Sequence, residues 1–322
     1  MGKFINPFTD WGFKHIFGQE ITKGLLLSFL NDLFAGEFAI KDLTFKNTER
    51  LGFTKDGRGV VFDIYCTTDT GKQIIVEMQN RAQAHFIDRS LYYSARAIAD
   101  QGRKGEWDYM LVPVYTVCFL NFDDSRLPQG KFRTDMILAD RDNGKALSDK
   151  LRVVYLKLPL FNKDEEECAN DFERWIFVLK NMSTLERMPF LAQNAVFRRL
   201  AEISDLNTLS KDELEKYGES IKMLRDTYAT ISYAQQEGHA EGMKEGMAKG
   251  LKEGMTKGLK EGMTKGLKEG MTKGLKEGRT LGEREALEKV AANLLRSGMT
   301  IEGVCAATGL DEGDVRRMWE TK

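Results

Sequence analysis

The sequence predicts an α/β protein built around a mixed sheet, because strand-like and helix-like patterns alternate along its first half. The clearest strand pattern is Gly59 to Asn80, where two runs of alternating apolar residues flank the polar stretch Thr67 to Lys72. Apolar residues at helical spacing precede and follow this predicted hairpin, at Ile21 to Phe34 and at His85 to Arg103. A strand–helix–strand step from the hairpin to the apolar run Tyr109 to Phe122 favours parallel pairing within the sheet.

The elements before the hairpin are predicted from caps and turns. A short helix begins near Thr9 or Asp10, either of which can cap it. The first strand is predicted at Leu43 to Phe53, and the run Lys55 to Arg58 (K-D-G-R) forms a turn into the hairpin.

A turn centred near Thr70 sets the register of the hairpin, so that paired residue numbers sum to 140. One face is then wholly apolar, with Phe62 opposite Met78, Ile64 opposite Val76, and Cys66 opposite Ile74. On the other face Asp63 stands opposite Glu77, with Gln79 two residues further along. Opposed carboxylates destabilise a sheet, whereas a hard cation such as Mg²⁺ between them would stabilise it. The alternative is a half-exposed hairpin that carries acids on its hydrated face.

The spacing of these acids resembles a nuclease signature. Asp63, thirteen further residues and then Glu77-Met78-Gln79 are similar to the PD-(D/E)xK motif, with Gln79 in the place of the usual lysine. The chain most resembles recombination-promoting nucleases, also called PD-(D/E)xK nuclease family transposases, and the opening Phe8 to Gly18 shares that resemblance. It implies a restriction-endonuclease-like core that hydrolyses DNA with Mg²⁺ or Mn²⁺. It further implies Asp63, Glu77 and Gln79 as catalytic residues, and Asp63, Glu77 and the backbone carbonyl of Met78 as metal ligands.

Three residues near the N-terminus are candidate accessory groups. Asp10 and Lys14 are the polar residues of the familial opening, and related nucleases often place a metal-site acid on the helix that Glu20 precedes. Ordinary helix chemistry offers an alternative for both acids, because Asp10 can be an N-cap and Glu20 can face the positive end of a helix.

The helix predicted after the hairpin carries interleaved arginines and tyrosines. Such side chains suit phosphate contact and sugar stacking beside an acidic metal site. The candidates for DNA contact are Arg89, Tyr92, Tyr93 and Arg96, for which a solvated helix surface is the alternative.

Four successive regions are predicted. Residues 1–160 form the nuclease core, which two strands at Phe132 to Ala139 and Leu151 to Leu158 extend. Residues 161–236 form a helical extension with helices Glu165 to Asn181, Pro189 to Ser204 and Lys211 to Gln236. Residues 237–283 are a glycine repeat, and residues 284–322 are a small helix-turn-helix-like module with helices Glu285 to Arg296, Ile301 to Ala307 and Glu312 to Trp319.

The glycine repeat contains twelve glycines spaced four residues apart from Gly238 to Gly282. Each glycine opposes helix formation by about 1 kcal/mol relative to alanine, so twelve cost on the order of 10 kcal/mol. Pairs such as Glu253 with Lys257 return only about 0.2–0.5 kcal/mol each. The isolated segment is therefore predicted to be a mobile tether, and a self-associating helix is the alternative.

Composition narrows the class of protein. The 322 residues are 42% hydrophobic and 30% charged, without an apolar run approaching 18 residues or a signal-peptide pattern. Four isolated cysteines favour reduced thiols in a cytoplasmic protein, and the lack of a long apolar run predicts no membrane partner. A net charge of −1 leaves DNA binding to local basic patches.

The expected function is a metal-dependent DNA endonuclease, linked to recombination or mobile elements, that forms a homo-oligomer. The alternative is a catalytically weak, nuclease-like scaffold that binds DNA or assembles.

Overall fold

The computed structural model describes residues 2–52 and 58–320, and the chain forms two compact units, residues 1–230 and 231–322. Its strands are β1 (Leu43–Phe45), β2 (Glu49–Arg50), β3 (Val60–Val61), β4 (Ile64–Thr68), β5 (Gln73–Gln79), β6 (Val114–Leu120), β7 (Arg133–Ala139) and β8 (Ala146–Lys157). Its helices are α1 (Asp10–Phe17), α2 (Lys23–Leu33), α3 (Phe86–Ala99), α4 (Asp171–Asn181), α5 (Ala195–Ser204), α6 (Lys211–Arg296), α7 (Ile301–Thr308) and α8 (Glu312–Glu320).

The central sheet has the strand order β1-β4-β5-β6-β8-β7. Strands β5, β6 and β8 are parallel, while β4 and β7 run antiparallel to their neighbours, so the predicted mixed sheet is confirmed. The hairpin of β4 and β5 has the predicted register, since Ile64 pairs with Val76 and Cys66 with Ile74. The turn at Thr70 therefore fixes the alignment of the two strands, as the alternation of their side chains requires.

The chain bends at Asp63, just before β4, and this bend overturns the predicted face of Phe62. Ile64 and Cys66 belong to the large core on one face of the sheet, whereas Phe62 packs with Tyr65 and Tyr93 on the other. The second face of the hairpin is not hydrated either, because α3 covers it and Tyr65 is buried. Glu77 on that face is only 2% exposed, so the alternative of a half-exposed acidic hairpin is wrong.

Several boundaries differ from the predicted ones for local reasons. The predicted strand 43–53 is divided into β1 and β2, and most of the predicted turn 55–58 lies outside the described residues. Helices α4 and α5 begin later than predicted, because Asn170 and Asn194 cap them by accepting hydrogen bonds from Glu173 and Val196 N–H groups. Strand β6 begins at Val114 rather than at 109, since Tyr109 has a left-handed backbone with φ of 58°.

Helix α6 begins at a capping box. The Ser210 N–H donates to the Glu213 carboxylate at 2.9 Å, and the Glu213 N–H donates to the Ser210 hydroxyl at 3.3 Å. Its early turns then pack on the N-terminal segment, where Tyr217 accepts a hydrogen bond from the Asn6 N–H at 2.9 Å. This anchoring brings the first turns of α6 to the core of the first unit.

The glycine repeat continues α6 without a break. Of the two conformations that the sequence leaves open, tether and helix, the structure has the helix. Its methionines and leucines are all exposed, from 63% at Leu281 to 77% at Met247. The repeat's glycines have nothing within 4 Å of the position that a Cβ would take. The predicted pair of Glu253 with Lys257 does not lie within 4.0 Å, and neither do the equivalent pairs of Glu261 and Glu269, whereas Lys273 and Glu277 do.

The predicted helix Glu285 to Arg296 is the end of α6 and not a separate helix, whereas the other two predicted terminal helices are α7 and α8. The last turns of α6 pack with α7 and α8 around a small core, made of Ala291, Leu295, Val304 and Val315. Among the described residues, no helix is both long and apolar enough to cross a membrane.

Candidate active site

Helix α1 places two charged residues beside the sheet. Thr9 caps this helix, its hydroxyl accepting a hydrogen bond from the Gly12 N–H at 3.0 Å. Asp10 is therefore the first helical residue, and its reading as the N-cap is wrong. The Asp10 carboxylate instead lies 2.7 Å from the Lys14 ammonium, one turn further along α1.

Asp63 and Glu77 lie where the pairing of β4 with β5 ends. The Met78 N–H donates to Asp63 Oδ2 at 2.8 Å, and the Asp63 N–H donates to Glu77 Oε1 at 3.3 Å. These two bonds take the place of the next pair of ladder hydrogen bonds and hold the bend at Asp63. The two predicted catalytic acids are thus brought together by the hairpin itself.

The environment of the pair favours protonation or a cation. Burial raises the pKa of Asp63, although the Met78 N–H, Lys14 and Arg89 act in the opposite direction. Burial also raises the pKa of Glu77 well above its usual value, and repulsion from the Asp63 carboxylate adds to that rise. A half-buried and a buried acid that repel each other are what a divalent cation would stabilise.

The free ligand atoms at this point fit a hard cation. Asp63 Oδ1 and Glu77 Oε2 accept no hydrogen bond from the described part of the chain. The Met78 carbonyl faces the same edge as its N–H, because both groups of a strand residue point to one neighbouring strand. Residues 2–52 and 58–320 contain no group of three or more His, Cys, Asp or Glu that could hold a metal. The set is therefore two carboxylates and one carbonyl, which suits Mg²⁺ because that ion usually keeps several waters.

A cavity of about 250 Å³ adjoins Asp63. It is formed by the N-terminal segment, the end of the hairpin and the first turns of α6, with Phe8, Thr9, Asp10, Asp63, Met78, Asn80, Arg81, Gln83, Ser220, Met223, Leu224 and Thr227 lining it. Asn80 joins two of these elements, because its side-chain amide donates to the Phe8 carbonyl. No local sequence pattern marks Arg81, Ser220 or Thr227 as site residues, and Ser220 and Thr227 reach the cavity only through the packing of α6.

Two of the other predicted site residues, Arg89 and Tyr93, lie near the acidic pair. Arg89 lies over the Phe86 and Tyr93 rings, at 5.0 and 5.7 Å from their centroids, and its charge acts on both acids. Tyr93 packs edge-on against Phe62, and the nearby Glu77 charge contributes, after burial, to the raised pKa of Tyr93. Both residues belong to the acidic pair's immediate surroundings.

Four other predicted site residues do not line the cavity. Gln79 is not among the residues that line the cavity, and Glu20 is exposed and lies 3.8 Å from the Lys23 ammonium. Arg96 is buried, with Nε donating to Asp100 at 2.7 Å. Tyr92 is 44% exposed and donates its hydroxyl hydrogen to the Arg58 carbonyl at 3.1 Å.

A family model described as PD-(D/E)XK nuclease family transposase matches residues 7–234, which include α1, the whole sheet and the cavity-lining turns of α6. The chain belongs to this family. Comparisons with curated proteins and with solved structures gave no match. The PD-(D/E)XK nuclease family therefore accounts for the sheet and its acids, while the glycine repeat and the terminal helices lie beyond the matched residues.

Proposed function

We propose that this PD-(D/E)XK nuclease is a divalent-metal-dependent endodeoxyribonuclease that uses Mg²⁺ or Mn²⁺. The observation that supports the proposal is the pair of half-buried Asp63 and buried Glu77, held by two hydrogen bonds from backbone N–H groups beside a cavity. The two carboxylates and the Met78 carbonyl would hold the metal. A bound divalent ion supplies positive charge to a phosphate oxygen and lowers the pKa of an attacking water.

The protein's own groups would position the substrate. Arg89 and Lys14 bring positive charge to the acidic pair, as their effect on both pKa values shows, and this charge favours the approach of a phosphodiester. Gln79 would orient water by hydrogen bonding, since an amide neither carries positive charge nor accepts a proton as an amine would. Tyr92, beside Arg58, would contact the DNA backbone or its sugars.

A plasmid-nicking assay tests the proposal. Supercoiled DNA is incubated with the full chain in Mg²⁺, in Mn²⁺ and in EDTA, with Asp63→Asn as the matched inactive variant. Conversion to open-circular or linear DNA in either metal, and its loss in EDTA and in Asp63→Asn, is expected. Equal nicking by wild type and Asp63→Asn would assign the activity to another site.

The second candidate is a nuclease-like scaffold that binds DNA or assembles with further copies of the chain. Two observations favour it: Gln79 stands in the place of the family lysine without lining the cavity, and the exposed methionine and leucine stripe of the repeat suits self-association. DNA binding without nicking in either metal would select this candidate.

A further inference from the structure

Arg81 follows β5 by two residues and lines the cavity beside Asp63. Its guanidinium carbon lies 3.3 Å from the centroid of the Tyr228 ring, a stacked arrangement that holds the planar group in place. On one side of the guanidinium, Nη1 donates to the Thr227 carbonyl at 2.8 Å. Both partners belong to α6, so this helix sets the orientation of Arg81.

The opposite edge of the guanidinium is unused. Nε and Nη2 are buried, and neither donates a hydrogen bond to any part of the chain that the structure describes. Arg81 also makes no ion pair within residues 2–52 and 58–320. Nε and Nη2 together form the fork with which arginine grips two oxygens of one phosphate or carboxylate. A buried donor without an acceptor lowers the stability of the folded state. The Nε–Nη2 edge therefore suits an acceptor that comes from a ligand.

We propose that Arg81 binds a backbone phosphate of DNA in the cavity that Asp63 lines, through the Nε–Nη2 edge. This inference rests on the proposed function for its substrate class, because a phosphodiester is the anion that a nuclease brings to this cavity. Arg81 acts as a positioning residue, holding the strand in register with the acidic pair. The cavity wall includes Met223, an unbranched and adaptable side chain that is 68% exposed.

Binding of DNA without metal tests Arg81 separately from cleavage. Fluorescence anisotropy of a labelled 20-base-pair duplex is measured with the full chain in EDTA over a series of salt concentrations. Arg81→Gln should weaken binding about tenfold, because a charge-assisted hydrogen-bonded contact is lost. The slope of log affinity against log salt should become shallower by about 0.9, the value for one phosphate contact.

Two further variants separate recognition from folding. Arg81→Lys keeps the charge but not the fork, so it should keep the wild-type salt slope while losing part of the affinity. Arg187→Gln makes the same change of charge at a 73% exposed arginine paired with Glu165, and should bind as wild type does. Thermal unfolding of each variant shows how much of any loss comes from lowered stability.

The inference is overturned if Arg81→Gln keeps the wild-type salt slope, whatever its thermal stability, or if the wild type does not bind the duplex. Failure of the proposed nuclease function has a different result: no nicking by wild type in Mg²⁺ or Mn²⁺, with the loss of binding in Arg81→Gln still observed. Nicking by wild type together with unchanged binding in Arg81→Gln would support the nuclease function and refute the Arg81 phosphate contact.

Discussion

At the residue scale, the central feature is that Asp63 and Glu77 hold each other through the backbone. Each carboxylate accepts a hydrogen bond from an N–H of the opposite arm of the hairpin, so neither acid can move away from its neighbour freely. Burial and repulsion raise the pKa of Glu77 more than hydrogen bonding lowers it. The metal-free protein therefore carries a destabilising pair that a proton or a cation relieves.

Glu77→Gln should stabilise the metal-free protein at alkaline pH. When folding raises the pKa of an acid, the protein loses stability as the pH rises from the acid's pKa in the unfolded state, about 4.3 for glutamate, through its pKa in the folded state. Glutamine has no such loss and can still accept the Asp63 N–H. Thermal unfolding in EDTA should show little difference at pH 4 and a gain of about 1 kcal/mol at pH 8, or about 2–4 °C.

The control for this measurement is Asp149→Asn, at a carboxylate that is 70% exposed. It removes the same charge without a buried neighbour, so its unfolding temperature should follow that of wild type at both pH values. A Glu77→Gln protein less stable than wild type at pH 8 would contradict the repulsion argument. Glu77→Gln should also lose metal-dependent nicking, whereas Asp149→Asn should retain it.

Gln79→Ala should slow cleavage without weakening metal binding. Gln79 stands in the place of the family lysine and its amide carries no negative charge, so we expect it to position water and not to ligate the ion. A fall in kcat of roughly 10- to 100-fold is the size of a positioning effect. Calorimetric titration with Mn²⁺ should give a wild-type Kd, with Glu77→Gln as the weakened reference. A loss of affinity equal to that of Glu77→Gln would make Gln79 a direct ligand.

At the element scale, helix α6 contains two stretches with different support. Its first turns have a capping box and contacts to the N-terminal segment, whereas the glycine repeat is exposed and its glycines touch nothing beyond the helix. Threonines of the repeat donate to carbonyls four residues earlier, as Thr256 does to Lys252 at 2.8 Å. Such bonds do not offset a glycine cost on the order of 10 kcal/mol.

The excised peptide from Glu237 to Arg284 should therefore be mostly unstructured at micromolar concentration. Circular dichroism over a concentration series measures this directly, and helicity that rises with concentration would indicate association between copies. The matched control replaces Gly254, Gly258, Gly262 and Gly266 by alanine, which should recover about 4 kcal/mol of helix propensity. Strong helicity of the native peptide at every concentration would refute the glycine argument.

At the scale of the whole molecule, the first unit gathers the proposed active site from distant parts of the sequence. The Ser220 hydroxyl accepts a hydrogen bond from the Trp11 N–H at 3.2 Å, and the Thr227 carbonyl accepts one from Arg81. Tyr217 is 7% exposed in the same core. The early turns of α6 thus form one wall of the cavity.

Truncation tests this dependence on α6. A chain ending at residue 236 keeps every cavity-lining residue and should nick plasmid at a rate within a few-fold of the full chain. A chain ending at residue 209 lacks Tyr217, Ser220 and Thr227, and should lose nicking together with about 2–4 kcal/mol of stability from the buried tyrosine and its contacts. Nicking by the shorter chain at the full rate would show that α6 is not part of the site.

The hairpin register, the order of the elements and the proximity of Asp63 to Glu77 were predictable from local sequence patterns. These features depend on turn position and on side-chain alternation, which are local properties of the chain. Helices α7 and α8 were predictable for the same reason, because local spacing marks them within a residue or two, whereas the helix predicted to begin at Glu285 is the end of α6.

The groups that surround the acids, by contrast, are set by packing between distant parts of the chain. The bend at Asp63 sends Phe62 to the face opposite Ile64, and α3 buries Glu77 on a face that alternation alone leaves open to water. Arg81 finds its stacking partner on α6, 147 residues further along the chain, at Tyr228. No local pattern reports such a contact, because burial and long-range packing are set by the free energy of the whole folded chain.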